Sequence, residues 1–381
     1  MRIAQVAPLA ECIPPKLYGG TERVVSWLTD ELVDRGHQVT LFASGDSSTR
    51  GTLVPVWPKA LRLGRPRCDP TVAQAALLEA VAQRAADFDV IHCHLDWTHI
   101  PLVSRLGVPF LTTLHGRLDL PGLNTIIRHF PNAPFVSISD SQRSQLPAAR
   151  WAGTVYHGLP EQSLRPRFEP GEYLAFLGRL TPDKGPEVAI RLARAANMPL
   201  RMAAKIPRGE VAYYRERLEP SLDGDRIQLV GEVNERTKES FLAAATALIF
   251  PIDWPEPFGL VMIEAMACGT PVVAFRRGAV PEVIEHGVSG FVLEPGDEDA
   301  ALEAIKQLDR LDRRQVRAAF EQRFTARRMV DDYLRIYKSL LASDTDRRCN
   351  RLAPKRSDSP ACQSARAGRR VMANHVGARR P

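Results

Sequence analysis

At 381 residues the chain is too long for one ordinary domain and suits two of about 150–200 residues, each able to bury its own core. Its 44% hydrophobic and 25% charged residues are ordinary for a globular protein. The net charge of +7 hints at nucleic acid, but residues 347–381 hold ten Lys/Arg against one Asp, leaving 41 basic and 43 acidic residues elsewhere. The basicity therefore belongs to a tail, and no nucleic acid is expected on the folded part.

Residues 3–10 are too short an apolar run, interrupted by Gln5 and Pro8, to read as a secretory signal. No uncharged apolar stretch nears the ~18–20 residues of a membrane span. The six cysteines (Cys12, Cys68, Cys93, Cys268, Cys349, Cys362) show neither paired close spacing nor a zinc pattern. A reducing cytoplasm is expected, with peripheral contact at the inner membrane face left open.

In chain order, residues 2–8 read as a strand, and a proline-containing loop (11–18) leads to Gly19-Gly20. Thr21 is expected to cap a helix whose buried face holds Val24, Val25, Leu28 and Leu32, with Gly36 ending it. Residues 38–43 alternate as a strand. This strand–loop–helix–strand unit opens a doubly wound α/β domain, although Gly19-Gly20 lacks the GxGxxG spacing of a nicotinamide site. Further strands are expected at 90–94, 110–114, 135–138 and 154–156, and a linker at 161–170.

A second αβ series follows. Strands are expected at 173–177, 200–204, 227–230, 247–250 and 271–275. Helices are expected at 186–196, 211–218, 235–245, 259–267 and 280–285. After Asp297 the pattern is helical and ends in an amphipathic piece at 326–341, with Met329, Tyr333, Ile336, Tyr337 and Leu340 on one face. Beyond 343 no apolar period survives, and the segment reads as a disordered extension. Two αβ domains in tandem place the C-terminal ends of both sheets beside a shared cleft, where such sheets bind ligands.

Pro255–Gly269 contains the strongest candidate chemistry. Glu256 lies between Pro255 and Pro257 in non-helical backbone, whereas Glu264 falls one to two turns into a helix. Between them lie free N–H groups and the positive end of a helix dipole, which suit a diphosphate. On spacing alone, a loop glutamate and a helix-surface glutamate explain the stretch equally well. Arg179 and Lys184 follow the first strand of the second series and offer a planar fork of donors and a compact charge, though a solvated turn accounts for them too. His92, Cys93, His94, His99 and Asp96 resemble a metal cluster, but a polar strand end lining a cleft explains them without metal. Asp87-Phe88-Asp89 precedes a strand, away from the expected cleft, and reads as a solvated turn. His115 ends a first-domain strand and would face the cleft. Ser139-Asp140-Ser141 resembles a helix cap more than a nucleophile.

Jointly, Tyr18-Gly19-Gly20-Thr21, Leu114-His115-Gly116, the stretch from Phe176 to Lys184-Gly185, the two glutamates around Phe258-Gly259-Leu260, and the stretch from Gly278 to Glu282 with Gly290-Phe291 resemble the retaining glycosyltransferases of family 4. The opening is most similar to the subgroup that includes antibiotic sugar-transfer enzymes. The resemblance implies a GT-B fold, with two Rossmann-like αβα domains facing a shared cleft. The expected divisions are an acceptor-side domain (1–165), a nucleotide-sugar domain (166–325), a helix returning to the first domain (326–342) and the basic tail (343–381).

It also implies transfer of a hexose from a nucleotide-diphosphate sugar, expected to be a UDP- or GDP-sugar, to a hydroxyl of a sugar, lipid-linked glycan or small molecule. No metal or other cofactor is expected. Arg179 and Lys184 would neutralise the diphosphate with the N–H groups of Phe258, Gly259, Leu260 and Val261. Glu264 would bind the ribose, Glu256 would lie near the donor sugar, and Val233 would meet the base. Gly19 and Gly20 would admit the phosphates, and His115 would face the sugar. The alternatives are an epimerase or phosphorylase on the same fold, or a non-catalytic sugar-nucleotide-binding protein.

Overall fold

In a computed structural model, the structure describes residues 1–16, 19–62 and 64–352, without the side chains of 345–352. The first half runs β1 (Arg2–Val6), α1 (Gly20–Asp34), β2 (Gln38–Ser44), β3 (Thr52–Trp57), α2 (Pro70–Gln83), β4 (Val90–Cys93) and α3 (Ile100–Val103). It continues through β5 (Phe110–Thr113), α4 (Leu123–His129), β6 (Pro134–Ser137), α5 (Asp140–Ser144) and β7 (Arg150–Thr154). The second half runs β8 (Tyr173–Arg179), α6 (Pro186–Ala195), β9 (Leu200–Lys205), α7 (Val211–Tyr213), β10 (Ile227–Gly231), α8 (Glu235–Ala243) and β11 (Ala245–Phe250). After these come α9 (Leu260–Ala267), β12 (Val272–Phe275), α10 (Val280–Val283), β13 (Gly290–Leu293), α11 (Glu298–Lys306), α12 (Arg313–Arg323) and α13 (Ala326–Leu352).

The strands form two parallel sheets, ordered β3-β2-β1-β4-β5-β6-β7 and β10-β9-β8-β11-β12-β13. Each order reverses direction at one point, between β1 and β4 and between β8 and β11, which opens a crevice at the strand C-termini. Parallel strands need apolar residues on both faces because helices cover both. On one face of the first sheet Ile3, Val90 and Leu111 pack under α1 and α13, and on the other Val6, Phe42 and Ile91 pack under α2. In the second half, Leu248, Met262, Ile263 and Phe320 form one core, and Leu174, Ile190, Ile249 and Ile305 form the other.

The long helix α13 leaves the second sheet and covers the first. Its start is pinned where the Ala326 N–H donates to the Leu159 carbonyl at 2.8 Å. Its own Met329, Val330, Tyr333 and Tyr337 are fully buried against the first sheet. The helix runs to Leu352, beyond the 342 boundary and into the segment read as disordered, because no Gly or Pro interrupts 342–352. The remainder of the basic tail lies outside the described residues, as does Tyr18.

Other differences have local causes. Gly19, not Thr21, occupies the helix-cap position of α1, and Thr21 falls within the first turn. The edge strand β3 was not expected because it contains Pro55, which a sheet tolerates only at an edge. Helix α2 has an alanine-rich sequence with little amphipathic contrast, and its start is marked by Asp69 accepting from the Thr71 N–H. The last strand of the first sheet is Arg150–Thr154, four residues earlier than the expected 154–156. The four-residue edge strand β13 was also missed, being too short to show alternation. Residues 211–218 form a single α turn that runs into a π turn at Tyr214–Leu218 rather than one regular helix.

Tyr337→Ala removes a fully buried ring and its hydrogen bonds to Gln5 and His92. A stability loss of about 3–5 kcal/mol is expected in urea unfolding; a loss below about 1 kcal/mol would show that α13 contributes little to holding the first sheet.

Candidate active site

A cleft of about 500 Å³ lies at the C-terminal ends of the two sheets. Gly19, Gly20 and His115 line it from the first half, and Arg179, Lys184, Val233, Glu256, Phe258, Gly259, Leu260, Val261 and Glu264 from the second. Residues as far apart in sequence as Gly19 and Glu264 meet because β1, β5, β8 and β11 all end here.

Arg179 is the last residue of β8. Among the described residues it makes no ion pair, and its buried Nε has no hydrogen-bond partner. A half-buried guanidinium left in this state is costly unless an anion completes it. Lys184, five residues on, is differently placed. It pairs with Glu256, and its ammonium sits 4.6 Å from the centre of the Trp254 ring. The Trp254 indole N–H also donates to Glu256 at 3.1 Å. Glu256 is thus fixed from two sides by groups that sequence spacing does not associate with it.

The backbone fixes it from a third. A Cβ on Gly278 would lie 2.2 Å from the Glu256 carbonyl oxygen, so only glycine lets the turn before α10 pass this closely. The next residue, Ala279, donates its N–H to that same carbonyl at 2.9 Å. Gly259, at φ +83°, turns the chain into α9 in a conformation that favours glycine. Leu260 and Val261, the first residues of α9, line the cleft, and the first N–H groups of a helix have no acceptor within it.

Glu264 is buried, not a helix-surface residue, and accepts from Lys238 at 2.7 Å. Lys238 also reaches Glu235 at 2.9 Å, and Glu235 pairs with Arg23 of α1. A chain of alternating charge therefore runs from the first half, across the cleft, to the candidate ribose ligand. Neither Lys238 nor Arg23 was marked by sequence, since each stands in an ordinary helix and the partners are far apart along the chain. A second cross-cleft contact comes from the stretch beginning at Gly278: the Glu282 carboxylate accepts from the Asp140 and Ser141 N–H groups, both at 2.7 Å, and from the Tyr156 hydroxyl at 3.1 Å. Ser139 caps α5 as expected, accepting from the Gln142 N–H at 2.9 Å.

Gly20 faces Leu260, and a Cβ there would make only an ordinary 3.5 Å contact. The protein itself does not demand glycine at 20. His115 stacks on His157 with ring centres 5.3 Å apart, and His157 in turn meets the edge of Phe258. The ring nitrogens of His92 and His94 are taken up in hydrogen bonds to neighbouring side chains, and His99 bonds Thr112 at 2.7 Å. Asp87 and Asp89 are paired with Arg84 and Arg2, far from the cleft.

The family model described as "Glycosyltransferase Family 4" matches residues 18–155, and that described as "Glycosyl transferases group 1" matches residues 163–324. The N-acetyl-alpha-D-glucosaminyl L-malate synthase of Bacillus anthracis is 34% identical over 126 residues, which is 32% of each chain. The phosphatidyl-myo-inositol mannosyltransferase of Mycolicibacterium smegmatis is 29% identical over 350 residues, covering 82% of this chain and 86% of its own. Among solved structures, Anabaena HepE in complex with UDP and glucose superposes with a TM-score of 0.69 at 20% identity, over 89% of this chain and all of that one. At that identity the likeness establishes the GT-B fold alone.

Burial pushes His115 down to about 3, His99 to about 4, and His92, His94 and His157 well below the ordinary imidazole range. All five rings are neutral in the folded chain near neutral pH, whereas the unfolded chain protonates them below about 6.5. Stability should therefore fall as pH drops from about 6.5 towards 4, by about 1.4 kcal/mol per pH unit for each histidine that stays neutral. A urea midpoint unchanged between pH 7 and 5 would contradict this.

Proposed function

Because the chain belongs to the group 1, family 4 glycosyltransferases and has their GT-B fold, we propose that its cleft moves a hexose from a nucleotide-diphosphate sugar to a hydroxyl acceptor, with retention and without a divalent metal. The observation that carries this reading is the Arg179 guanidinium, which has no carboxylate partner among the described residues although it stands beside Lys184 and the start of α9. A diphosphate supplies the missing counter-charge. Support for a nucleotide comes from the fold shared with HepE, whose solved complex holds UDP and glucose.

In this reading Arg179 and Lys184 bind the diphosphate, and the N–H groups at Leu260 and Val261 add the helix dipole. Lys184 has three donors, so it can keep Glu256 while meeting a phosphate oxygen. Glu264, held by Lys238, accepts from the ribose hydroxyls, and Val233 borders the base. As the sugar–phosphate bond breaks, both electrons pass to the leaving diphosphate, where fixed cations and dipoles stabilise the growing charge. The acceptor oxygen bonds to the anomeric carbon on the face that the phosphate leaves, and its proton passes to the departing phosphate oxygen. No separate protein base is then required. Two side-chain cations and a helix end supply the stabilisation that a metal supplies elsewhere. Glu256, fixed by Lys184, Trp254 and the Gly278 turn, presents its carboxylate beside the donor sugar.

Nucleotide release from a panel of UDP- and GDP-sugars, with NMR of the product anomer, tests the reading. Turnover should survive EDTA, and Arg179→Ala should lower kcat/KM by about 100-fold or more. Activity abolished by EDTA and restored by Mg²⁺, or near-normal turnover in Arg179→Ala, Lys184→Ala and Glu264→Ala alike, would sink it. Conversion of the donor into an epimeric nucleotide sugar, with no nucleotide released, would instead identify an epimerase.

A further inference from the structure

Glu256 is held by its side chain and by its backbone, and each hold leads to the first half of the chain. On the side chain, Lys184 and the Trp254 indole N–H both reach Oε2, which leaves Oε1 without a hydrogen bond among the described residues. The Glu256 N–H in turn donates to the Trp254 carbonyl at 2.8 Å, so indole and carboxylate are tied twice. The Arg117 guanidinium, from the loop after β5 in the first half, stands over that indole, 5.7 Å from the ring centre. A bidentate pair with Asp119, at 2.8 and 2.7 Å, fixes the plane of the guanidinium.

On the backbone, the turn before α10 is wedged against Glu256. A Cβ on Gly278 would lie 2.2 Å from the Glu256 carbonyl oxygen and 2.4 Å from its nitrogen. Two hydrogen bonds then lead away from that carbonyl. The Ala279 N–H donates to it at 2.9 Å, and the Glu282 N–H donates to the Ala279 carbonyl at 3.0 Å. The Glu282 side chain ends on the first half. Its Oε1 accepts from the Ser141 N–H, and its Oε2 accepts from the Asp140 N–H and the Tyr156 hydroxyl.

The two holds are independent in chemistry and agree in direction. Parting the halves takes the guanidinium off the indole face and strips three charge-assisted bonds from Glu282. Lys184 belongs to the second half and keeps its grip on Oε2. The carboxylate then stays in the cleft while the groups that set its orientation are released.

We propose that Arg117 and Glu282 are positioning residues that align the Glu256 carboxylate, so that Oε1 stands ready for the donor sugar only while the two halves are closed on each other. Arg117 acts through Trp254, and Glu282 acts through Ala279. The effect on the reaction rests on the cleft being a hexosyltransferase site. The mechanical coupling does not.

Fluorine spectra test the coupling without reference to turnover. In full-length protein carrying 5-fluorotryptophan, the Trp254 resonance is assigned by its loss in Trp254→Phe. Glu282→Ala, with folding checked by its melting curve, should shift or broaden that resonance and leave that of Trp57 in place. A Trp254 resonance unchanged in Glu282→Ala would overturn the coupling whether or not the protein turns over any donor. Kinetics with a competent donor test the alignment. Glu282→Ala and Arg117→Ala should each lower kcat by about tenfold or more, since misplacing a reacting group by about 1 Å costs up to about 100-fold. Calorimetric affinity for the matching nucleoside diphosphate, UDP or GDP, should stay within about threefold. A loss confined to nucleotide affinity, with kcat unchanged, would refute the proposal. In a Glu256→Gln background, the further loss in kcat from Glu282→Ala should shrink to about twofold or less. A loss as large as in the wild-type background would show that Glu282 does not act through Glu256. Near-normal turnover in Glu256→Gln alone would refute the alignment role through the reading of the site itself, with the fluorine result still deciding the coupling.

Discussion

An unpaired guanidinium in the wall of a cleft is the constraint on which the rest of this protein depends. Most of the neighbouring charges are matched: Lys184 with Glu256, Lys238 with Glu264 and Glu235, Glu235 with Arg23. Arg179 is matched by no carboxylate among the described residues. The fold holds it there because β8 ends at the point where strand order reverses, and the helix that follows β11 starts in the wall of the same cleft. A site so arranged has its favourable electrostatics completed by an incoming anion rather than by the protein.

The two halves of the chain contribute in different ways. The second half provides charge and helix dipole. The first half provides histidines that burial keeps neutral, and it closes on its partner through Arg23 to Glu235 on one element and through Glu282 to the start of α5 on another. Helix α13 ties these roles together. It begins beside the second sheet, covers the first, and its Tyr337 and Tyr333 hydroxyls meet the buried polar groups Gln5, His92 and Thr113 of that sheet.

Much of this was legible in the sequence because it depends on local signals. Glycines at the start of α9, prolines on either side of Glu256, and alternating apolar runs each act over a few residues, and they located both sheets and the lining of the cleft. The missing parts are those that depend on distance in space. Lys238 was unremarkable in a polar helix, yet it buries against Glu264, 26 residues on. Gly278 read as part of a motif, but its reason is the backbone of Glu256, 22 residues earlier. His92 was seen as part of a polar strand end, and its partner in α13, Tyr337, lies 245 residues away. Edge strands β3 and β13 were missed because short, half-exposed strands carry little periodicity.

The central claim is that Arg179 awaits a diphosphate, and calorimetry of nucleotide binding tests it most directly. UDP and UMP, and GDP and GMP, are titrated into the wild-type chain and into Arg179→Ala. The diphosphate of the matching base should bind about 100-fold tighter than its monophosphate to wild type, and that ratio should collapse towards one in Arg179→Ala. An unchanged ratio in the variant would contradict the account.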